Sequence, residues 1–189
     1  FVANTHTTLL VFTDKGKVYW QKVFKLPEGT RQSRGKAIAN VVNIAGNEKV
    51  QAILPVDEFR EDKYVVMLTK LGVIKKTSLD AFSNPRPSGI IALTTDIDDS
   101  VIDCKISTGK DDIFISTQEG MSIRFDESNV RAMGRTARGV KAITLAQGDL
   151  VAGMEVLSTE EKRTILMVTE FGYGKRTTAE EYIGQSRGG

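Results

Sequence analysis

The sequence predicts an all-β chain, built as an array of small four-stranded antiparallel sheets, on three observations. A Thr-x-x-Gly turn recurs four times, at Thr13–Gly16, Thr69–Gly72, Thr117–Gly120 and Thr169–Gly172. A second glycine follows each turn, at Gly35, Gly89, Gly139 and Gly188, and three of these stand after arginine (Arg34, Arg138 and Arg187). The apolar runs in between are short, rich in β-branched residues and bounded by Gly, Asn, Pro and Asp, with no amphipathic helix of ordinary length. The repeat is about 50 residues long, the size of one small sheet. Such units stacked radially make a propeller-like array, in which each sheet needs its neighbours to cover its faces.

The second repeat sets the pattern. Tyr64 to Leu68 is a β-rich apolar run entering the tight turn at Thr69–Gly72, where glycine supplies the positive φ of a hairpin. Val73 to Lys76 is a second short strand, leading into a Ser-, Asn- and Pro-rich loop from Ser83 to Ser88. Ile90 to Leu93 follows Gly89 as a third strand, and Val101 to Ile106 is a fourth after an Asp-rich turn. By the same order, Ala37 to Val42 and Val140 to Leu145 are third strands, and Val50 to Val56 and Leu150 to Leu157 are fourth strands. Asp57 to Lys63 and Thr159 to Arg163 are polar connections between repeats. Residues 1–189 therefore read as one repeat-built domain of about three and a half blades, a fragment of a longer chain.

At 40% hydrophobic and 26% charged residues the chain can bury a core, and its net charge of +2 excludes a polycation. Any nucleic-acid surface must arise by segregating charge. That segregation is visible: Lys15, Lys17, Lys22, Lys25, Arg31, Arg34 and Lys36 stand against the single acid Glu28, whereas Glu48 to Asp62 and Asp96 to Asp112 are acidic. One cysteine, Cys104, excludes an internal disulfide and fits a reducing cytoplasm. No run has the length of a membrane span, and none reads as a signal peptide.

Aligned on the turn glycine, the fourth residue onward is Trp20, Lys76, Arg124 or Arg176, and the third is Tyr19, Lys75, Ile123 or Lys175. The loop before the second glycine adds Arg31 and Arg34, Arg86, Arg131, Arg135 and Arg138, and Arg187. Lys17, Lys22 and Lys36 lie in the first basic stretch, and Lys141 follows Gly139. One cationic loop commonly does no more than solubilise a surface, but recurrence at fixed repeat positions places these groups along one edge. Such a stripe can follow a phosphate backbone, with glycine allowing close approach of the main chain. The threonine column reads as structural, its hydroxyl bonding backbone near the turn.

Catalytic and metal chemistry find no support. His6 is the only histidine and Cys104 the only cysteine, so neither a Ser-His-Asp triad nor a Cys/His zinc cluster can be assembled. Cys104 reads as a small core residue and His6 as a surface or turn residue. Asp96, Asp98 and Asp99 lack the glycine and bidentate glutamate of an EF-hand and read as a solvated turn. Gly172-Tyr-Gly-Lys-Arg-Thr177 fails as a phosphate loop, because Thr169 stands where its first glycine belongs and arginine follows Lys175.

Phe1-Val-Ala-Asn-Thr-His6, Gly16-Lys-Val-Tyr19, Asn129-Val-Arg-Ala-Met-Gly134 and Gly172-Tyr-Gly-Lys-Arg-Thr177 closely resemble the C-terminal domain of bacterial DNA gyrase A, in order and over the whole chain. The corresponding domain of topoisomerase IV is the near relative. The resemblance implies a β-pinwheel, a six-bladed propeller-like ring whose neighbouring blades exchange strands. It also implies that the rim binds double-stranded DNA without sequence preference and wraps it, supporting negative supercoiling. The implied partners are the breakage-reunion region of the same chain and gyrase B, in an A2B2 assembly. Catalysis, ATP and Mg would belong to other regions, so no catalytic residue, cofactor or metal ligand is assigned here. The expected DNA-binding residues are the cations named above: Lys17, Lys22, Arg31, Arg34, Lys36, Lys75, Lys76, Arg86, Arg124, Arg131, Arg135, Arg138, Lys141, Lys175, Arg176 and Arg187.

The chain departs from the family at its diagnostic Gln-Arg-Arg-Gly-Gly-Lys/Arg-Gly box. Only the degenerate Gln32-Ser-Arg-Gly-Lys36 and Gln185-Ser-Arg-Gly-Gly189 are present, and motif order places Phe1 just after the box-bearing segment. Gyrase and topoisomerase IV both remain open at this point, as does a protein-interaction propeller, which would use an apolar or mixed flat face instead of a basic rim.

Overall fold

The computed structural model describes residues 2–189. The first repeat contributes β1 (Thr8–Thr13), β2 (Lys17–Lys22) and β3 (Val50–Val56), and the second β4 (Tyr64–Thr69), β5 (Val73–Ser78), β6 (Ile90–Ile91) and β7 (Val101–Ser107). The third contributes β8 (Asp112–Thr117), β9 (Ser122–Asp126), β10 (Val140–Lys141) and β11 (Val151–Leu157), and the fourth β12 (Thr164–Val168) and β13 (Gly174–Thr178). Among the described residues the only helical elements are short 3-10 turns.

The sheets run β3-β1-β2-β6, β10-β5-β4-β7, β11-β8-β9 and β12-β13. All these pairings are antiparallel, and two of them cross repeats. β6 of the second repeat pairs with β2 of the first (Lys17 with Ile91), and β10 of the third pairs with β5 of the second (Lys141 with Val73). Each exchanged strand thus completes the preceding sheet, which is the strand exchange that the resemblance implied.

Exchange also explains where the strand expectations shift. Ile90 to Leu93 and Val140 to Leu145 contract to two-residue strands, because only that length lies against the preceding sheet. Ala37 to Val42 forms no strand. Ile38–Asn40 is a 3-10 turn, and residues 31–40 are exposed with no described strand beside them to complete a ladder.

The central strands are apolar throughout because both faces are covered. On β4, Val65 and Met67 pack with Leu10, Phe12 and Val56 of the first repeat. The alternate residues Val66 and Leu68 pack with Ile113, Ile115 and Ile123 of the third. The two-residue period of a strand therefore divides one run between two inter-blade cores. Cys104 lies in the first of these cores, as expected, and His6 is exposed. A third core joins Phe114 and Leu157 to Ile165 and Ala179 of the last hairpin.

Candidate nucleic-acid interface

The cations divide into an exposed set and an interior set. Lys22, Arg31, Arg34, Lys36, Arg86, Arg131, Arg138, Lys141, Lys175 and Arg176 are exposed. Strand exchange lays the loop of one repeat across the outer strand of the repeat before it, which brings cations of different repeats together. Arg86 lines one cleft with Lys22 and Lys25, beside Trp20. Arg187, half-buried, reaches back one repeat to donate to the carbonyls of Asn129 (3.2 Å) and Lys141. Arg138 meets Asp96 at 3.2 Å in a pair that is about three-quarters exposed on both sides, and is therefore weak.

The remaining members of the expected set are paired or partly to fully buried. Lys17 is paired with Glu48 at 2.9 Å, and that carboxylate also accepts from the Tyr19 hydroxyl. The hydrogen bond from Lys17 to Glu48 raises the lysine above its ordinary value. Lys75 and Lys76 are buried, and Arg124 and Arg135 are half-buried.

The column four residues after the turn glycine is an inter-blade latch. Trp20 Nε1 donates to the carbonyl of Phe82 at 2.8 Å, Lys76 Nζ to that of Glu127 at 2.9 Å, and Arg124 Nη1 to that of Ala179 at 2.7 Å. Each acceptor lies in the 3-10 turn that follows the second strand of the next repeat. The carbonyls of Glu127 and Ala179 also accept the amides of Val130 and Tyr182 that close their turns, so the long donor from the neighbouring blade takes the second lone pair of each. The assignment of Lys76 and Arg124 to a phosphate rim is therefore corrected: an ammonium or guanidinium spent on a buried carbonyl is not presented to DNA.

Lys76 also sits 3.4 Å from Glu127, which is fully buried. Glu127 accepts from the Ser107 hydroxyl at 2.7 Å and the Asp111 amide at 2.9 Å, so the buried charge is paired and hydrogen-bonded. Lys75 is corrected likewise. Its ammonium donates to the carbonyls of Ala92 (2.7 Å), Ala137 (3.0 Å) and Arg135. Burial, with a smaller contribution from the Arg135 guanidinium, pushes it down to about 8.

The second glycines also take a different role. A Cβ on Gly89 (φ +70°) would stand 2.7 Å from the Tyr19 ring, and one on Gly139 (φ +90°) 2.6 Å from the Ile74 carbonyl oxygen. These glycines admit the exchanged strand to the preceding sheet. The turn threonines behave as expected in three repeats: the hydroxyls of Thr69, Thr117 and Thr169 accept from Val73, Met121 and Tyr173 amides.

Asp99 departs from its reading as part of a solvated turn. It is buried and accepts from the amides of Leu71 and Ser100 at 3.1 and 2.8 Å. Asp149 repeats this with Glu119 and Leu150. The signal was an aspartate two residues before Val101 and Val151, visible only once the repeats are aligned at their fourth strands. Among the described residues no cluster of His, Cys, Asp and Glu could hold a metal, and no helix is long and apolar enough to cross a membrane.

Comparison with known proteins accords with this arrangement. The family model described as DNA gyrase C-terminal domain, beta-propeller, matches residues 7–57, 63–108, 111–158 and 163–189, one stretch per repeat. The DNA gyrase A of Salmonella typhimurium is 46% identical over 186 residues, 98% of this chain and 21% of the relative. The DNA gyrase A of Haloquadratum walsbyi is 42% identical over 193 residues, covering 100% of this chain and 22% of the relative. The chain thus spans about a fifth of the length of these curated relatives. A crystal structure of the C-terminal domain of DNA topoisomerase IV superposes with a TM-score of 0.86 at 29% identity, covering 98% of this chain and 57% of the other. A DNA gyrase A C-terminal domain superposes at 0.83 with 24% identity, over 98% and 59% of the two chains, a likeness of fold.

Proposed function

The chain belongs to the DNA gyrase C-terminal domain family, and from that membership we propose that it binds duplex DNA without sequence preference along its cationic edge and bends it. The observation that carries this reading is the meeting of cations from successive repeats through strand exchange, with Arg86 of the second repeat beside Lys22 and Lys25 of the first. An edge of this kind offers charge at intervals, and among the described residues no helix longer than a 3-10 turn is present to read bases. Bending 20–30 base pairs by 40–90° costs on the order of 1–6 kcal/mol, which many weak phosphate contacts along a curved surface can offset.

In the whole protein, the wrapped segment would be presented to the breakage-reunion region of the same chain. Gyrase B, ATP and Mg would act through other regions, and the bend would support negative supercoiling in the bacterial cytoplasm. Affinity is measured for unrelated duplexes of about 40 base pairs across a salt series. Equal affinities falling steeply with salt are expected. Absence of binding at low salt, or strong preference among sequences, overturns the reading. Relaxation of a nicked circle bound by the protein, followed by ligation, then reports the bend as a shift in linking number.

A further inference from the structure

Lys75 is fully buried and stands apart from the exposed cations. An ammonium has three donors and no acceptor, and three main-chain carbonyls take all three. Ala92 follows β6, and its own amide bonds Gly16 of the first repeat at 2.8 Å. Arg135 and Ala137 belong to the loop of the third repeat, while Lys75 itself is on β5 of the second. One buried charge therefore ties the second repeat to the third, and Ala92 in turn is bonded to the first.

Lys75 makes no ion pair. β4 presents Met67 opposite it in register, β10 presents Val140 and the exposed Lys141 alongside, and the loop presents the Arg135 guanidinium. We propose that Lys75 is a positioning residue for DNA binding: its ammonium draws the 134–138 segment inward by the carbonyls of Arg135 and Ala137, and so fixes the outward aim of Arg131 and Arg138. The inference rests on the DNA-binding reading above.

The hold depends on the proton. A neutral amine offers two donors in place of three, and its bonds lose the charge assistance that shortens and strengthens them. With Lys75 held near 8, the loop is drawn in at neutral pH and released about a unit above. The phosphates of a bound duplex favour the ammonium, so binding and protonation reinforce each other.

The test is affinity for one duplex at fixed ionic strength, at pH 7 and pH 9, for the wild type and for Lys75→Met. Wild-type binding is expected to weaken by up to about tenfold, because roughly nine-tenths of the free protein has lost the proton at pH 9. Lys75→Met should bind more weakly at pH 7 and equally at both pH values. Lys75→Arg, which keeps a charge that does not titrate here, should bind alike at both. Parallel pH dependence in wild type and Lys75→Met, or none in the wild type, overturns the proposal. Amide exchange at Ala137 of the wild type, whose amide bonds the Gly134 carbonyl at 3.2 Å, corrected for the intrinsic rate, should accelerate between pH 7 and 9. Unchanged protection there overturns the proposal even if neither variant folds. Failure of the wild type to bind DNA at pH 7 and low salt would instead remove the DNA reading, while amide exchange would still judge the staple.

Discussion

The indole nitrogen of Trp20 and the carbonyl of Phe82, 2.8 Å apart, join the first blade to the second. Trp20→Phe keeps an aromatic ring but deletes that donor, together with part of the indole's packing on the first core. Stability should fall by about 1 kcal/mol, read from denaturant unfolding, with DNA affinity within twofold of wild type. A loss of affinity without loss of stability would place the indole in the DNA-binding surface.

Arg34, Arg86, Arg131 and Arg138 are exposed, and replacing each by Gln removes charge without disturbing a core. Each phosphate left without its arginine should flatten the slope of log affinity against log salt by about 0.9. Unchanged slope in the fourfold variant would move the DNA path to another face.

Gly139→Ala places a methyl 2.6 Å from the Ile74 carbonyl oxygen, at φ +90°. The cost should be about 1–3 kcal/mol from backbone strain alone, and more if β10 leaves β5. Gly120→Ala also has a positive φ, with no neighbouring atom within 4 Å, so it should cost less. Thermal unfolding of the two variants separates strain from collision.

Glu127→Gln leaves the Lys76 ammonium buried without its counter-charge. Destabilisation of about 3–5 kcal/mol is expected, as for other broken buried pairs. The double replacement Lys76→Met with Glu127→Gln should recover part of it, which a double-mutant cycle in urea measures.

Stability should also depend on alkaline pH. Burial holds Lys75 near 8 against its ordinary 10.5, so between these values the unfolded chain binds a proton that the fold does not, and stability rises with pH. Cys104 opposes this, because burial pushes its thiol up and the unfolded chain ionises first. Wild type minus Lys75→Met isolates the lysine. That difference should rise from pH 8 to 10 by at most about 1.4 kcal/mol per unit, measured by urea unfolding. The charge thus orders the loop at a cost to overall stability.

The repeat, the hairpins and the two-faced apolar strands are all legible in the amino-acid order. These features are local or periodic: a turn glycine at positive φ, or a short apolar run, can be read one segment at a time. Every arginine of the proposed edge is equally visible there.

Which cations face solvent depends instead on how the blades pack. Lys75 and Lys76 are adjacent in a strand and look like surface charge, yet partners of theirs lie 51 to 62 residues away, in the 3-10 turn and loop of the next repeat. The role of Gly89 and Gly139 was hidden for the same reason, since what each approaches is the second strand of the repeat before it. The length of the third strands, and the absence of one at Ala37 to Val42, follow from whether a neighbouring sheet lies alongside. Backbone conformation is written in the residues nearby, but a side chain's partner is set by the blade that packs against it, and strand exchange draws that partner from the next repeat.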